Sequence, residues 1–372
     1  MKNLILAFIL LHICFIGAAQ TKFIRANNQE IRYVGRFDFS NPKEVRFDWS
    51  GVYIQFSFTG TDCAVKMSDT GHNYYNVFVD DQPSKTIDIK SDTTIVIASN
   101  IESQVHKIQI YKRTEGNQGT GSFKGILISE NGEMLPWKEI PTCKIEFIGN
   151  SITCGYGTEG LSNSEQFKPS TENNYKSYAP IMARAFNADY HIVAHSGMGV
   201  VRNYGYKEKV SPNAMPDRFD QVFDENEQPI WNFTQWKPDV VVINLGTNDF
   251  STKPFPDKEV FKVGYEKLIN EACKQYGDVP VFCIVGPMTD EPCYLYVKEL
   301  VEDFRSVNHK MNIYFIGIPT YLMDFEKDLG SDTHPNYSGA RKMAAHALPV
   351  ISSILKWNYN GKEMEQSVFN TY

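Results

Sequence analysis

The chain has 372 residues, of which 42% are hydrophobic, and a formal net charge of −7. This is longer than one typical domain and apolar enough for sizeable cores. The acidic balance, with no long basic run, excludes nucleic acid and anionic membrane surfaces as natural partners.

Residues 1–19 open with Lys2, run through apolar residues from Leu4 to Phe15 broken only by His12, and end on the small residues Gly17 and Ala19. A positive start, a short apolar run and small closing residues describe a secretory signal peptide cut after Ala19, and the run is short for a membrane span. The expected location is therefore secreted or periplasmic. Ile13 stands before Cys14 where a lipid-attachment site needs a small residue, which argues against a lipoprotein. No later segment is long and apolar enough to span a bilayer.

Residues 20–136 alternate with a period of two. Val52, Ile54, Phe56 and Phe58 are interleaved with Tyr53, Gln55 and Ser57, and Cys63, Val65 and Met67 repeat the pattern. Turn residues such as Thr59-Gly60, Asp80-Asp81 and Asn131-Gly132 punctuate the strands. Many short alternating strands with polar turns predict a β-sandwich or jelly roll. A linker is expected near Leu135-Pro136-Trp137.

Residues 142–358 read differently. Apolar strands are predicted at Lys144–Ile148, Tyr190–Ala194, Asp239–Leu245, Val279–Val285 and Ile313–Ile318. Helices are predicted at Tyr175–Phe186, Val260–Cys273, Leu295–Val307 and Ser338–Leu355. Alternating strands and helices predict a parallel sheet in a three-layer α/β domain. Residues 359–372 read as a C-terminal tail. The cysteines after the leader, at 63, 143, 154, 273, 283 and 293, match neither a dense disulfide framework nor a zinc site. Pairing of Cys273 with Cys293 stays open.

Three segments at the ends of predicted α/β strands carry chemistry, where parallel sheets gather their ligands. Gly149-Asn150-Ser151-Ile152-Thr153-Cys154-Gly155 puts a serine on a tight strand-to-helix turn, where its hydroxyl is presented and its amide can face an oxyanion. The same serine could simply cap a helix. Gly246-Thr247-Asn248-Asp249 offers the Asn248 amide as an oxyanion donor; Asp249 reads as a helix cap rather than a catalytic acid. Ser331-Asp332-Thr333-His334-Pro335-Asn336 precedes the last helix, and the proline favours extended backbone at His334.

Together these blocks resemble the SGNH, or GDSL-like, hydrolase superfamily over residues 142–358. The resemblance makes Ser151 the nucleophile, His334 the general base and Asn248 an oxyanion donor. Its glycine block matches Ala194-His195-Ser196-Gly197-Met198-Gly199, with Gly197 the oxyanion amide beside that of Ser151 and Gly199 the second choice. The longer strings GNSITCGYG, SGMGVVRNYG, INLGTNDFST and SDTHPN look like carbohydrate esterase family two. That resemblance implies a three-layer, flavodoxin-like SGNH-hydrolase domain preceded by a β-sandwich or jelly roll. It also implies acetyl removal from plant polysaccharides or oligosaccharides of the xylan or glucomannan type.

Two positions depart from the superfamily pattern. Asn150 replaces the usual aspartate before the nucleophile, and Ser331 stands where the triad acid is expected. Asp332 then takes the role of third member, or a main-chain carbonyl does, as the close family permits. Tyr156, Arg202, Asn203 and Tyr204 follow two of the blocks and are candidates for a sugar subsite, or for loop packing. His191 and His195 read as structural. No metal or cofactor is expected, and the oligomeric state is not written in the sequence. Rival readings are a general short-chain lipid or aryl esterase, and a carbohydrate-binding protein with a decayed esterase half.

Overall fold

A computed structural model describes residues 20–307 and 312–368. The leader read at residues 1–19 lies outside them. Eleven strands among the described residues build the first half. They are β1 (Thr21–Arg25), β2 (Arg32–Val34), β3 (Val45–Phe47), β4 (Tyr53–Gly60), β5 (Cys63–Asp69), β6 (Asn73–Val79), β7 (Gln82–Ile89), β8 (Thr93–Ala98), β9 (Gln104–Lys112), β10 (Gly121–Ser129) and β11 (Met134–Leu135). One antiparallel sheet runs β1-β10-β5-β8 with β3 beside β10; the other runs β11-β4-β9-β6-β7 with β2 beside β4. Alternation does what the sequence asks. Cys63, Val65 and Met67 of β5 are buried, while Lys66 between them is exposed. In β10 the inward set shifts from Phe123 to Ile126 and Ile128, because an irregularity between Phe123 and Gly125 inserts one residue into the register.

The second half begins with β12 (Cys143–Gly149), α1 (Ser151–Cys154), α2 (Tyr178–Ala185) and β13 (Ala188–Ala194). A hairpin, β14 (Gln221–Phe223) and β15 (Asn226–Ile230), precedes β16 (Val240–Asn244), α3 (Lys258–Tyr276), β17 (Val281–Val285), α4 (Cys293–Val307), β18 (Ile313–Gly317) and α5 (Tyr337–Leu355). The sheet order is β13-β12-β16-β17-β18, all parallel. That is the flavodoxin-like order, whose switch point falls between β12 and its neighbours. The continuous apolar strands are explained by burial on both faces. Val241, Ile243, Val281 and Cys283 pack toward α3 and α4. Val240, Val242, Phe282 and Ile284 pack toward α2 and α5.

The last residues are a difference from the sequence reading. Lys362–Val368, taken there as tail, forms the helix α6. It docks because the Arg184 guanidinium of α2 donates to both oxygens of Glu363, 2.5 and 3.0 Å away. The six described cysteines are all free, so Cys273 and Cys293 do not pair. No described helix is long and apolar enough to cross a membrane.

The two halves share buried polar contacts as well as apolar ones. Arg36, with no exposed side-chain surface, bonds Glu146 of β12 at 3.0 Å and the carbonyls of Phe219 and Gln221. Tyr53 of β4 donates to Asp189 of β13 at 3.0 Å, and Arg32 pairs with the same carboxylate. Each group would be costly to leave unpaired, so these contacts hold the halves in one relative orientation.

Candidate active site

The site is assembled at the C-terminal ends of β12, β13 and β16 and in the loop before α5. After β12 the chain turns sharply at Asn150, whose side-chain oxygen caps α1 by accepting from the Ile152 amide at 3.2 Å. The asparagine that replaces the usual aspartate therefore supports the turn. Ser151 follows as the first helical residue, and α1 ends at once because Gly155 adopts a left-handed conformation, φ 83°.

The histidine loop rests on the glycines beyond that turn. Ser331 N donates to the Gly157 carbonyl at 3.1 Å, and a Cβ on Gly157 would lie 2.6 Å from the Ser331 carbonyl oxygen. Ser331 is fully buried, with its hydroxyl 3.3 Å from that of Thr171. A carboxylate at this position would be sealed in packing. Asp332 and Thr333 then take left-handed backbone, φ 49° and 61°, and the chain reverses.

The reversal decides the partner of His334. Its Nε2 lies 2.8 Å from Ser151 Oγ, and its Nδ1 lies 3.0 Å from the main-chain oxygen of Asp332. A carbonyl only accepts, so Nδ1 carries the proton and Nε2 is left to take one from serine. The reading of the Asp332 carboxylate as third member is corrected here. That carboxylate points away and accepts from Tyr156 Oη at 3.0 Å and from the Phe167 amide at 3.2 Å. Burial holds the His334 imidazole below its ordinary pKa, against the opposing pull of the Asp332 carbonyl and charge.

Three candidate donors keep hydrogens to spare. The amides of Ser151 and Gly197 donate to no acceptor among the described residues. Asn248 Nδ2 gives one hydrogen to the Met198 carbonyl at 2.8 Å and keeps its second. Gly199, the second choice for the oxyanion amide, is already engaged with Asn203 Oδ1 at 3.1 Å. Gly197 sits at φ 81°, a conformation that suits glycine.

Asp249 holds the same loop. Its buried carboxylate accepts from the amides of Val200, Val201 and Arg202 at 2.8–2.9 Å. Burial lifts its pKa to about 6, with those amides pulling the other way.

Of the proposed sugar-contact residues, two are corrected. Arg202 is buried, and its guanidinium is spent on the carbonyls of Tyr206, Thr252 and Pro254. Asn203 closes its own loop, with its side chain turned to Gly199 and the carbonyls of Pro212 and Asn213. Tyr156 and Tyr204 line the site. Tyr156 stacks on Phe167, ring centroids 3.9 Å apart, and its ring lies 4.4 Å from that of His334. Tyr204 stands beside Gly197 and is 71% exposed. His191 is buried against Trp236. His195 Nδ1 meets Asp224 at 2.7 Å; burial pulls its pKa down, but that carboxylate pushes it up to about 9.

Among the described residues, two groups bring three potential metal-ligand atoms within 4.8 Å: Glu115, Cys154 and Glu172, and His195, Asp224 and Glu225. Each already has a cation beside it. Lys112 bonds the Glu115 carbonyl at 3.2 Å, and Arg218 bonds Asp224 at 2.8 Å.

A serine aligned with an imidazole, beside two free amides and an asparagine amide at the end of a 2-1-3-4-5 sheet, defines an SGNH-type serine hydrolase. Residues 147–342 match the GDSL-like lipase/acylhydrolase family and residues 33–137 match the carbohydrate esterase 2 N-terminal domain. The chain belongs to carbohydrate esterase family two. It is 37% identical, over 89% of its length, to the cellulase/esterase CelE of Acetivibrio thermocellus, of which it spans 40%. It is 33% identical, over 57% of its length, to an acetylxylan esterase/glucomannan deacetylase of Cellvibrio japonicus, of which it spans 58%. A solved family two carbohydrate esterase from Clostridium thermocellum, in complex with cellohexaose, superposes with a TM-score of 0.82 at 37% identity. That match covers 88% of this chain and 99% of the other.

Proposed function

We propose that this chain is an exported serine esterase that removes acetyl groups from plant polysaccharides or their oligosaccharides. One observation carries the reading: His334 Nε2 stands 2.8 Å from Ser151 Oγ beside three donors that have free hydrogens. In this mechanism His334 takes the serine proton as Ser151 attacks the ester carbonyl. The amides of Ser151 and Gly197 and the side chain of Asn248 receive the oxyanion. The imidazolium returns its proton to the departing sugar oxygen, and water drawn up by His334 then frees acetate from the acyl-enzyme. The Asp332 carbonyl keeps the imidazole oriented and accepts its Nδ1 hydrogen throughout.

The sugar assignment rests on the family and on the rim. Tyr204 and the stacked Tyr156–Phe167 pair flank the catalytic pair, and flat rings suit the apolar faces of pyranoses. The relatives named as acetylxylan esterase/glucomannan deacetylase point to xylan- or glucomannan-type substrates. Export is part of the proposal on the strength of residues 1–19, and N-terminal sequencing of the mature protein should begin near Gln20.

The deciding experiment measures acetate release from acetylated xylan, acetylated glucomannan and a short-chain glyceride, with 4-nitrophenyl acetate as a general ester. The expected result is turnover of the acetylated glycans well above the glyceride, abolished by Ser151→Ala. Preference for the glyceride makes the chain a lipid esterase. No turnover of any ester, with glycan binding intact, makes it a binding protein.

A further inference from the structure

Glu115 lies in the β-sandwich half, after β9, yet its side chain reaches into the catalytic half and is fully buried there. Its Oε2 accepts from the Ser196 amide at 2.7 Å and from the Cys154 thiol at 3.7 Å. Ser196 immediately precedes the oxyanion glycine, and Cys154 is the last residue of the helix that begins with Ser151. One carboxylate oxygen thus touches both the oxyanion loop and the nucleophile helix.

The peptide that carries the Gly197 N–H is bracketed by two hydrogen bonds. On one side the Ser196 amide is held by Glu115; on the other the Gly197 carbonyl accepts from the Tyr204 amide at 2.7 Å. A turn bond from the Met198 amide to the His195 carbonyl, 3.3 Å, spans the same peptide, and the Glu115 bond is the one that fixes the Ser196 amide itself. Glu115 is itself locked. Lys112 donates to its carbonyl, and Gly116 beside it packs so closely on Asp224 that a Cβ would lie 2.6 Å from that side chain.

We propose that Glu115 is a positioning residue for the oxyanion hole, supplied to the catalytic half by the β-sandwich half. The inference rests on the esterase reading above. It gives the first half a part in turnover separate from any contact with glycan. Burial, and next the Glu115 carboxylate beside it, push the pKa of neighbouring Glu172 well above the ordinary carboxyl range.

The test compares the wild-type chain with Glu115→Asp and Glu115→Gln on 4-nitrophenyl acetate, after circular dichroism and melting show that each is folded. Aspartate keeps the charge but is one methylene short of Ser196, so kcat should fall at least tenfold with KM within twofold. Inhibition by a boronic acid, whose adduct with Ser151 fills the oxyanion hole, should weaken by the same factor. Glutamine keeps both reach and acceptor and should hold kcat within threefold. An aspartate variant with wild-type kcat overturns the proposal, and so does a glutamine variant as impaired as aspartate. Hydrogen exchange in the wild-type chain decides the matter even where a variant does not fold: the Ser196 amide should exchange far more slowly than that of Gly197, and equal fast exchange overturns the proposal. Absence of wild-type turnover would instead sink the esterase reading itself.

Discussion

His334 Nδ1 is held by the main-chain oxygen of Asp332 at 3.0 Å, while the carboxylate of the same residue binds Tyr156 and Phe167. The proposed catalytic unit is therefore a serine–histidine pair oriented by backbone. Removing the side chain takes no partner from the imidazole, so Asp332→Ala should lower kcat by about tenfold or less. In acid-containing triads, loss of the acid costs on the order of 10⁴. A loss of that size in a folded variant would return Asp332 to the triad.

The pH profile follows from the same geometry. The proposed mechanism needs neutral His334, and burial holds its pKa below the ordinary imidazole value. The acid limb of kcat/KM should therefore lie below about 6.5. The Asp332 charge raises that pKa, so Asp332→Asn should move the limb to still lower pH. A limb above 7, or a shift the other way in Asp332→Asn, would contradict the assignment.

Asn248 keeps one Nδ2 hydrogen free while its other anchors the loop at Met198. An oxyanion donor acts in the transition state more than in the bound substrate. Asn248→Ala should cost roughly 10² to 10³ in kcat and leave KM nearly unchanged. A rise in KM alone would make Asn248 a substrate anchor.

These residues were legible in the sequence because Ser151, Gly197, Asn248 and His334 each follow an apolar strand or precede a strongly periodic helix. Strand ends of a parallel sheet converge, so position along the chain implied position in space. Glu115 carries no such signal. It sits in a polar turn of the other half, and only the packing of two domains brings it to Ser196. Arg202 misleads for a related reason: an arginine in a glycine-rich loop reads as exposed, yet three carbonyls of neighbouring turns satisfy it in the interior. The proline predicts extended backbone at His334 but does not set the two residues before it. Left-handed dihedrals at Asp332 and Thr333 turn the carbonyl, rather than the carboxylate, toward the ring. The β14–β15 hairpin carries no such signal either, because its second strand is exposed throughout and shows no apolar alternation.

His195 makes the last test, one of stability rather than turnover. Its Nδ1 lies 2.7 Å from Asp224 and 3.3 Å from Glu225, with Arg218 on the far side of Asp224. Burial alone would lower its pKa, but the Asp224 carboxylate raises it from 6.5 to about 9. A raised pKa means that the folded state binds the proton more tightly than the unfolded chain does. The stabilisation is then fully present below about pH 6.5 and is lost as pH rises through 9, roughly 3 kcal/mol in all. Burial and the neighbouring Asp224 carboxylate raise the Asp48 carboxyl to about 7, so it titrates inside the same window. Comparison with His195→Gln removes its contribution along with that of every other shared group. Denaturant unfolding between pH 6 and 9.5 should show wild type losing stability relative to His195→Gln, with the two curves converging at the alkaline end. Parallel curves across that range would mean that His195 stays neutral and that its bond to Asp224 is an ordinary one.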